Sequence, residues 1–353
     1  MSLKKLRRQI DGLDKKIVTL LNSRTRISLD IAELKRKSGQ GVYSPDREQE
    51  VLRKICLGSQ GPLLKGSLEA IYREVMSSSL SLGAHLKIAY LGPEATFTNL
   101  AALKRFGSQV EYIGCNNIAD VFTEVEKDNA DYGVVPIENS VEGAVSHTMD
   151  MFIDSDLKIC SQIILDVSHN LLACCQKPKI RRIYSKAEVF GQCRIWLEEN
   201  LPSAEKLEVS STSRAAQVAA KEKYSAAIGS SLAAKIYGLN IVARDIEDSA
   251  HNITRFLVIG KTSVARTAHD RTSIVFSIKD KVGALHAMLV PFKKYRINLT
   301  KIESRPSKKK AWDYYFYVDL EGHADEPRVK KALAELENKC RFLKVLGSYP
   351  IGE

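Results

Sequence analysis

Hydrophobic residues near the start of the chain recur at alternating steps of three and four, which is the period of one face of an α-helix. The stripe runs from Leu3 to Leu34 and is interrupted by a polar residue at Arg24. It predicts one amphipathic helix of about thirty residues. Because so small a unit cannot cover a stripe of that length, we expect a partner helix from a second copy of the chain.

Two further helices are predicted in the same segment. Ser44 followed by Pro45 is typical of an N-cap and first helical turn, and Gly58 marks the end of that helix. A third helix is predicted from about Ser67 to Leu82. Residues 1–85 are therefore expected to form an all-α domain.

The pattern then changes twice. From Lys87, short apolar runs alternate with helical stretches, which predicts an α/β domain with a largely parallel sheet over residues 86–262. A second set of such runs predicts a second lobe, with a cleft between the two. Residues 271–350 have the order strand, helix, strand, strand, helix, strand, which is typical of a ferredoxin-like α+β domain. The predicted fold class is thus a multi-domain chain.

Composition excludes several classes of protein. The hydrophobic fraction is 44% and the charged fraction 27%. No apolar run approaches the ~18 residues of a membrane helix, and we expect a cytoplasmic protein. Seven scattered cysteines without a C-x-x-C pair indicate neither a disulfide framework nor a zinc site.

The net charge of +11 raises the possibility of a nucleic-acid partner. It divides into +7 over residues 1–85, −3 over residues 86–262 and +7 over residues 263–353. The sequence has no helix-turn-helix signature and no interleaving of basic and aromatic residues. We therefore predict no nucleic-acid partner and no membrane partner.

Arg24 is the most informative position of the first helix. A guanidinium on a buried seam is costly unless a counter-charge faces it. Lys35 lies eleven residues later, about 20° round the helix and ~16 Å along it, so both side chains can converge on one ligand. Arg7 and Arg47 could add cations, unless they are solvated helix charges. A helical pocket lined by arginine and lysine suits a small dianion.

The segments Leu6 to Asp14, Leu20 to Arg24 and Pro45 to Glu48, together with Lys35, resemble the all-helical chorismate mutase domain. The resemblance implies an intertwined helical dimer that converts chorismate to prephenate by a pericyclic rearrangement. It implies these roles: Arg7 of the partner subunit, Arg24 and Arg47 on the carboxylates, Lys35 as the catalytic residue at the ether oxygen, Glu48 on a hydroxyl, and Ser79 in the late serine position. The chain departs from the family at Gly83, where a glutamine is usual, and at Ser44, where an aspartate is common.

Two predicted strand-to-helix turns in the central domain carry polar residues. Thr96 and Thr98 lie at the start of one helix, and Asn139 and Ser140 at the cap of another. Helix N-termini bind anions, although each turn alone could be simple capping. Two such turns at strand ends favour a ligand cleft.

These segments and the run His251 to Phe256 resemble prephenate dehydratase. The resemblance implies a two-lobed fold like that of periplasmic binding proteins, which removes carbon dioxide and the 4-hydroxyl from prephenate to give phenylpyruvate. Thr254 is the predicted catalytic residue, and it would donate a hydrogen bond because its pKa is far above 7. The predicted substrate-positioning residues are Thr96, Asn139, Ser140, Ser185 and Gln192, and Arg255 either holds a carboxylate or braces the motif. No metal or nicotinamide cofactor is implied.

The last domain resembles the ACT regulatory domain, which binds phenylalanine at a subunit interface. The segments that carry this resemblance, and that mark the effector site, are Gly283, Ala284 and Leu285 followed by Glu303, Ser304, Arg305 and Pro306. The order of the three domains is that of bifunctional chorismate mutase–prephenate dehydratases. The expected ligands are chorismate, prephenate and L-phenylalanine, and the expected assembly is a homodimer or homotetramer.

Two other interpretations remain open from the sequence. One is a monofunctional dehydratase, acting on prephenate or arogenate, whose mutase domain is degenerate and serves for dimerisation. The other is a non-catalytic amino-acid sensor or nucleic-acid binder with the same domains.

Overall fold

The computed structural model describes residues 2–38, 43–249, 251–278, 282–307 and 314–351. The helices are α1 (Leu3–Lys37), α2 (Pro45–Gly58), α3 (Lys65–Ala84), α4 (Phe97–Phe106), α5 (Ile118–Glu126), α6 (Ser146–Asp154), α7 (Ala187–Gln192), α8 (Arg194–Asn200), α9 (Thr212–Ala219), α10 (Ser231–Tyr237), α11 (Ala284–Lys294) and α12 (Pro327–Glu337). The strands are β1 (Lys87–Leu91), β2 (Glu111–Cys115), β3 (Tyr132–Asn139), β4 (Gly143–Ala144), β5 (Lys158–Asp166), β6 (Asn170–Ala173), β7 (Arg182–Ser185), β8 (Glu205–Glu208), β9 (Ser225–Gly229), β10 (Asn240–Ala243), β11 (Ile253–Gly260), β12 (Asp270–Ser277), β13 (Leu299–Pro306), β14 (Tyr314–Glu321) and β15 (Phe342–Pro350).

The chain forms two compact units. One consists of residues 1–87 and 105–111, and the other of residues 88–104 and 112–353. None of the helices among the described residues is both long enough and apolar enough to cross a membrane.

The first unit contains the predicted helices. The single long helix α1 is confirmed, and α3 packs against both α1 and α2. The apolar stripe of α1 is largely uncovered in one copy of the chain, since Ile10 is 56% exposed and Ile17 is 53% exposed. Helix α2 begins at Pro45 as predicted, but Ser44 is an N-cap by position only. Its hydroxyl accepts a hydrogen bond from Lys35 instead of capping the helix.

The first sheet of the second unit has the strand order β2-β1-β3-β11-β5. Strands β1 and β3 are parallel, but β11 is antiparallel to both β3 and β5. The predicted common strand direction therefore holds for β1, β3 and β5, and β11 departs from it. The physical reason is that β11 returns from the second lobe and enters this sheet between two strands that run the other way.

The second lobe is built on the order β10-β6-β9-β7-β8. The chain crosses between the lobes twice, after β5 and after β10, so the predicted two-lobed α/β fold is confirmed. The second lobe has its own apolar core, which includes Leu171, Ile183, Leu197 and Ile228. The two crossings bring residues near His169 and Asn252 to the same place between the lobes.

The last sheet has the order β13-β14-β12-β15, which confirms the ferredoxin-like arrangement. One face packs on α11 and α12 and buries Met288, Phe292 and Leu336. The opposite face shares a core with the first lobe, and this core includes both Tyr349 and Phe152. Because both faces of the sheet are covered, the ACT-like domain and the first lobe are joined through a buried interface.

Candidate functional site

Thr254 and Asn139 are paired residues on adjacent strands, β11 and β3. The Asn139 side-chain amide donates a 2.8 Å hydrogen bond to Oγ1 of Thr254, which is 9% exposed. Because the threonine oxygen accepts this bond, the threonine proton is available for a separate acceptor. The structure thus brings together the predicted catalytic threonine and a predicted positioning residue.

A chain of side-chain amides extends from this pair into the second lobe. The Asn139 amide also donates to Oδ1 of Asn252 at 2.8 Å, and Asn252 donates to Oε1 of Gln192 at 3.0 Å. His169 Nε2 lies 2.8 Å from the same Gln192 oxygen. Since that oxygen can only accept, His169 donates from Nε2. Asn252 and His169 were not among the predicted site residues.

His169 is buried beside this amide chain. Burial lowers the pKa of His169, and the hydrogen bond to Gln192 and the Glu247 carboxylate oppose that effect only in part. The imidazole is therefore neutral at neutral pH. The ring of Phe97, the first residue of α4, makes an edge contact with it at 5.5 Å between centroids.

The remaining predicted dehydratase residues are held by structural hydrogen bonds. Thr96 lies at the start of α4, as predicted, and its hydroxyl accepts from the backbone N–H of Asn99, which is the capping alternative. Ser140 donates to the His251 carbonyl and accepts from the Ile253 amide, so it ties the end of β3 to the start of β11.

Asn139 and Ser140 do not cap a helix. The expectation of a helix directly after β3 is wrong, because the chain turns back into β4 before α6 begins. Oδ1 of Asn139 accepts from the backbone of Val141 and Glu142 and stabilises that turn. Ser185 is fully buried at the end of β7 and donates to the Ile228 carbonyl.

A cleft of about 430 Å³ adjoins the amide chain at Gln192 and Asn252. Four carboxylate residues line it: Glu142, Glu188, Glu247 and Asp248. One of them, Glu142, accepts a 2.8 Å hydrogen bond from Gln192. This acidic wall repels anions, so the carboxylates of a dianionic ligand must bind elsewhere in the site.

Arg255 lies on the opposite face of β11 from Thr254. Its guanidinium donates to Asp319 at 2.6 Å and to the Tyr349 hydroxyl at 2.8 Å, both in the ACT-like domain. Burial alone would lower the pKa of Arg255, but Tyr349 and Asp319 raise it on balance. Of the two roles left open by the sequence, this geometry favours bracing.

In the first unit, two of the predicted mutase residues on α1 make hydrogen bonds to serine side chains. Arg24 on α1 donates to Oγ of Ser79 on α3 at 3.3 Å. Lys35 donates to Ser44 at the start of α2. Burial lowers the pKa of Lys35, and the nearby Asp46 carboxylate opposes that effect.

Glu48 is 9% exposed and is paired with Arg105, whose Nη2 lies 3.0 Å from Oε2 of Glu48. Arg105 also donates from Nε to the Tyr43 hydroxyl at 2.7 Å. Burial alone would lower the pKa of Arg105, but Glu48 raises it on balance. Arg105 is not predicted from the sequence, because it lies outside the N-terminal helical segment. Its pairing with Glu48 leaves no trace in the hydrophobic periodicity of that segment.

The other two predicted arginines of the mutase site are exposed, and Gly83 occupies the position at which the family usually has glutamine. Arg7 lies exposed on α1, and Arg47 pairs with Glu50 at 2.5 Å on the surface of α2. At Gly83, an added Cβ would lie 3.1 Å from Cβ of Ala32. A glutamine at this position would therefore press on α1.

The predicted effector residues lie on two elements. Gly283 has a φ of +75° and precedes α11, a conformation that glycine adopts without strain. On β13, Glu303 and Arg305 are half-buried, whereas Ser304 and Pro306 are exposed. The Arg305 guanidinium contacts both carboxylate oxygens of Asp150 on α6, at 3.0 and 3.1 Å.

The described part of the chain contains no group of three or more His, Cys, Asp or Glu side chains that could hold a metal ion.

Three family models match the chain in order. They are chorismate mutase type II at residues 6–83, prephenate dehydratase at residues 88–264 and the ACT domain at residues 272–338. A curated relative from Aquifex aeolicus (strain VF5), called bifunctional chorismate mutase/prephenate dehydratase, is 50% identical over 99% of this chain and 98% of its own length.

Two solved structures are each similar to three quarters of the chain. Prephenate dehydratase from Arthrobacter aurescens in complex with L-Phe is 34% identical, covers 75% of this chain and 90% of its own, and has a TM-score of 0.71. GqqA, described as a novel type of quorum quenching acylase, is 26% identical, covers 75% and 98%, and has a TM-score of 0.70.

Proposed function

The chain belongs to the bifunctional chorismate mutase/prephenate dehydratase family with an ACT domain, and we propose how its own residues carry out the two reactions. The enzyme rearranges chorismate to prephenate and converts prephenate to phenylpyruvate. Feedback inhibition by phenylalanine is typical of the family.

For the dehydratase, we propose that Thr254 donates a hydrogen bond to the leaving 4-hydroxyl of prephenate. The bond to the ring carboxylate breaks, its electron pair enters the ring, and the hydroxyl leaves as water after taking up a proton. The observation that supports Thr254 is the bond from Asn139 to its oxygen, which leaves the threonine proton free to donate. Formation of the aromatic ring drives the reaction, so a weak donor suffices.

The amide chain positions the substrate in this proposal. Gln192 and Asn252 present polar groups to the cleft, and His169 holds the Gln192 oxygen. The start of α4 offers backbone N–H groups and the positive end of a helix dipole to the carboxylates of prephenate. Its closeness to the site is supported by the contact of Phe97 with His169.

For the mutase, we propose that Arg24 and Lys35 hold the dianionic substrate in its reactive shape, with Lys35 at the ether oxygen. The carboxylate of Glu48, held by Arg105, would accept from a substrate hydroxyl. The exposed stripe of α1 supports a homo-oligomer in which a second copy covers the stripe and supplies Arg7. A dimer and a tetramer are both compatible with this stripe, and the cytoplasmic location expected from the sequence stays a proposal.

The test uses the purified full-length chain with each substrate, with and without phenylalanine. We expect consumption of chorismate, formation of phenylpyruvate from prephenate, and inhibition of the second reaction by phenylalanine. Arogenate in place of prephenate would yield phenylalanine directly, which separates the two dehydratase substrates. Absence of prephenate turnover under all conditions would contradict the proposal.

A further inference from the structure

Strands β3 and β11 carry two consecutive residue pairs that face opposite sides of the sheet. Thr254 pairs with Asn139 and faces the amide chain. The next pair, Arg255 with Glu138, faces the ACT domain. One residue step thus separates the proposed catalytic pair from a pair of charges.

The ACT domain presents a matching pair on β13 and β14. Lys301 and Asp319 are cross-strand partners there. Asp319 accepts from Arg255 at 2.6 Å, and the Lys301 ammonium lies 2.9 Å from Oε2 of Glu138. We call Glu138, Arg255, Lys301 and Asp319 the ion cluster. It contains two positive and two negative groups, so the charges that the interface buries compensate one another.

The ion cluster is not fully satisfied by hydrogen bonds. Lys301 and Glu138 form an ion pair whose geometry does not meet that of a hydrogen bond. Nζ of Lys301 and Nε of Arg255 are buried and have no hydrogen-bond partner among the described residues. A cavity of about 30 Å³ lies beside Arg255, Lys301 and Asp319. It has room for about one or two water molecules. The charges can therefore rearrange without opening a new void.

Strand β13 connects this cluster to the effector segment. Side chains alternate along it, so Lys301 and Arg305 share the half-buried face while Ser304 and Pro306 are exposed on the other. Arg305 is bound to Asp150 of the first lobe. A ligand that displaces the exposed side of β13 must also displace the face that carries Lys301.

We propose that Lys301 and Asp319 are positioning residues of the dehydratase reaction. They hold Glu138 and Arg255 in place through ion pairs. Because Asn139 and Thr254 are the adjacent residues on the same two strands, these ion pairs also fix the positions of Asn139 and Thr254. Occupation of the effector segment on β13 changes the dehydratase rate through these contacts. The inference rests on the proposed role of Thr254.

The test compares three variants of the full-length enzyme. Lys301→Met removes the charge, Lys301→Arg keeps it, and Lys344→Met removes a similarly buried lysine that binds the carbonyls of Ile153 and Ser155 across the same interface. The measurements are the dehydratase rate at saturating prephenate, with and without saturating phenylalanine, and phenylalanine affinity by calorimetry.

In K301M we expect the affinity for phenylalanine to stay within about twofold of the wild type. The fraction of the dehydratase rate that remains in saturating phenylalanine should be about fivefold higher than in the wild type, or more. K301R and K344M should remain inhibited like the wild type. Inhibition of K301M equal to that of the wild type, an equal loss in K344M, or loss of phenylalanine binding in K301M would overturn the inference.

A second variant covers the case in which K301M does not fold. Asp319→Asn removes a charge with little change in size and carries the same expectation. The control for the underlying function is the wild type itself. If the wild type fails to turn over prephenate, the proposed function fails; if it turns over and both variants stay inhibited, only the coupling fails.

Discussion

At the residue scale, the amide chain of the proposed dehydratase site is built from side chains that carry no charge at neutral pH, although carboxylates line the adjoining cleft. Thr254, Asn139, Asn252 and Gln192 are neutral by nature, and burial keeps His169 neutral by lowering its pKa. Such a group can orient the leaving hydroxyl and donate hydrogen bonds to it. These five side chains do not supply the proton that the leaving hydroxyl takes up.

The buried His169 predicts a dependence of stability on pH. Because its pKa is lowered in the folded state, the unfolded chain binds this proton more readily, and the free energy of unfolding falls as pH drops below about 6.5. His169→Gln keeps a donor for Gln192 but cannot be protonated. We expect the melting temperature of the wild type to fall more than that of H169Q between about pH 7.5 and pH 5.5. Equal falls would show that His169 does not contribute.

Asn252 could have been predicted as a site residue from the sequence, whereas His169 could not. Asn252 lies two positions before Thr254, and in an extended chain residues two positions apart share a face, so alternation could have placed Asn252 in the site. His169 gave no such signal, since its partner Gln192 is 23 residues away on another element. The partner of Arg255 is 64 residues away, in a different domain. Contacts of this kind follow from tertiary packing, which periodicity does not encode.

At the scale of elements, α1 presents an apolar stripe that one copy of the chain leaves exposed. Ile17→Glu places a charge in the middle of the stripe. We expect this variant to dissociate the oligomer and to reduce chorismate turnover, because Arg7 of the second copy would be lost from the site. Size-exclusion chromatography with light scattering measures the mass. Lys15→Glu, on the opposite face of α1, is the control, and an oligomer that survives I17E would contradict the proposed interface.

Arg105 in the last turn of α4 belongs to the first unit and pairs there with Glu48. Arg105→Gln leaves the buried Glu48 carboxylate without its cation, so the carboxylate is held less firmly in place to accept from a substrate hydroxyl. We expect kcat/KM for chorismate to fall by about tenfold. Steady-state kinetics with Lys104→Gln as the neighbouring control would show the effect. An unchanged value in R105Q would mean that Glu48 does not depend on Arg105.

Elements were predicted well where the apolar pattern is long and less well where the chain turns. The 35-residue helix α1 and the ferredoxin-like domain follow directly from periodicity. The two-residue strand β4 gives no periodic signal, which is why Asn139 was expected to cap a helix. The antiparallel placement of β11 depends on the crossing between lobes, which a local pattern does not contain.

At the scale of the whole molecule, two reactions are assigned to two separate sets of residues. Lys35→Ala should reduce chorismate turnover by about 100-fold or more while prephenate turnover stays within about twofold. Thr254→Ala should have the opposite effect, and Thr254→Ser should recover part of the dehydratase rate. Separate assays with each substrate decide this. If K35A left chorismate turnover intact, the helical domain would be using other residues.

The fold by itself does not determine the reaction. A structure described as a quorum quenching acylase shares the fold of three quarters of this chain, so the assignment depends on the site and on full-length relatives. The proposed site in turn depends on four stretches of chain that meet: the end of β3, the start of β11, the crossing that follows β5, and the end of α7.

The alternation of Thr254 and Arg255 along β11 also limits how this segment can change during evolution. Substitutions alter one side chain at a time, but inserting or deleting a single residue before this pair would exchange the two faces of the strand. The arginine would then enter the cleft and the threonine would face the ACT domain. Catalysis and its control would be lost in one step, so the length of this strand is expected to be inherited unchanged even where its sequence drifts.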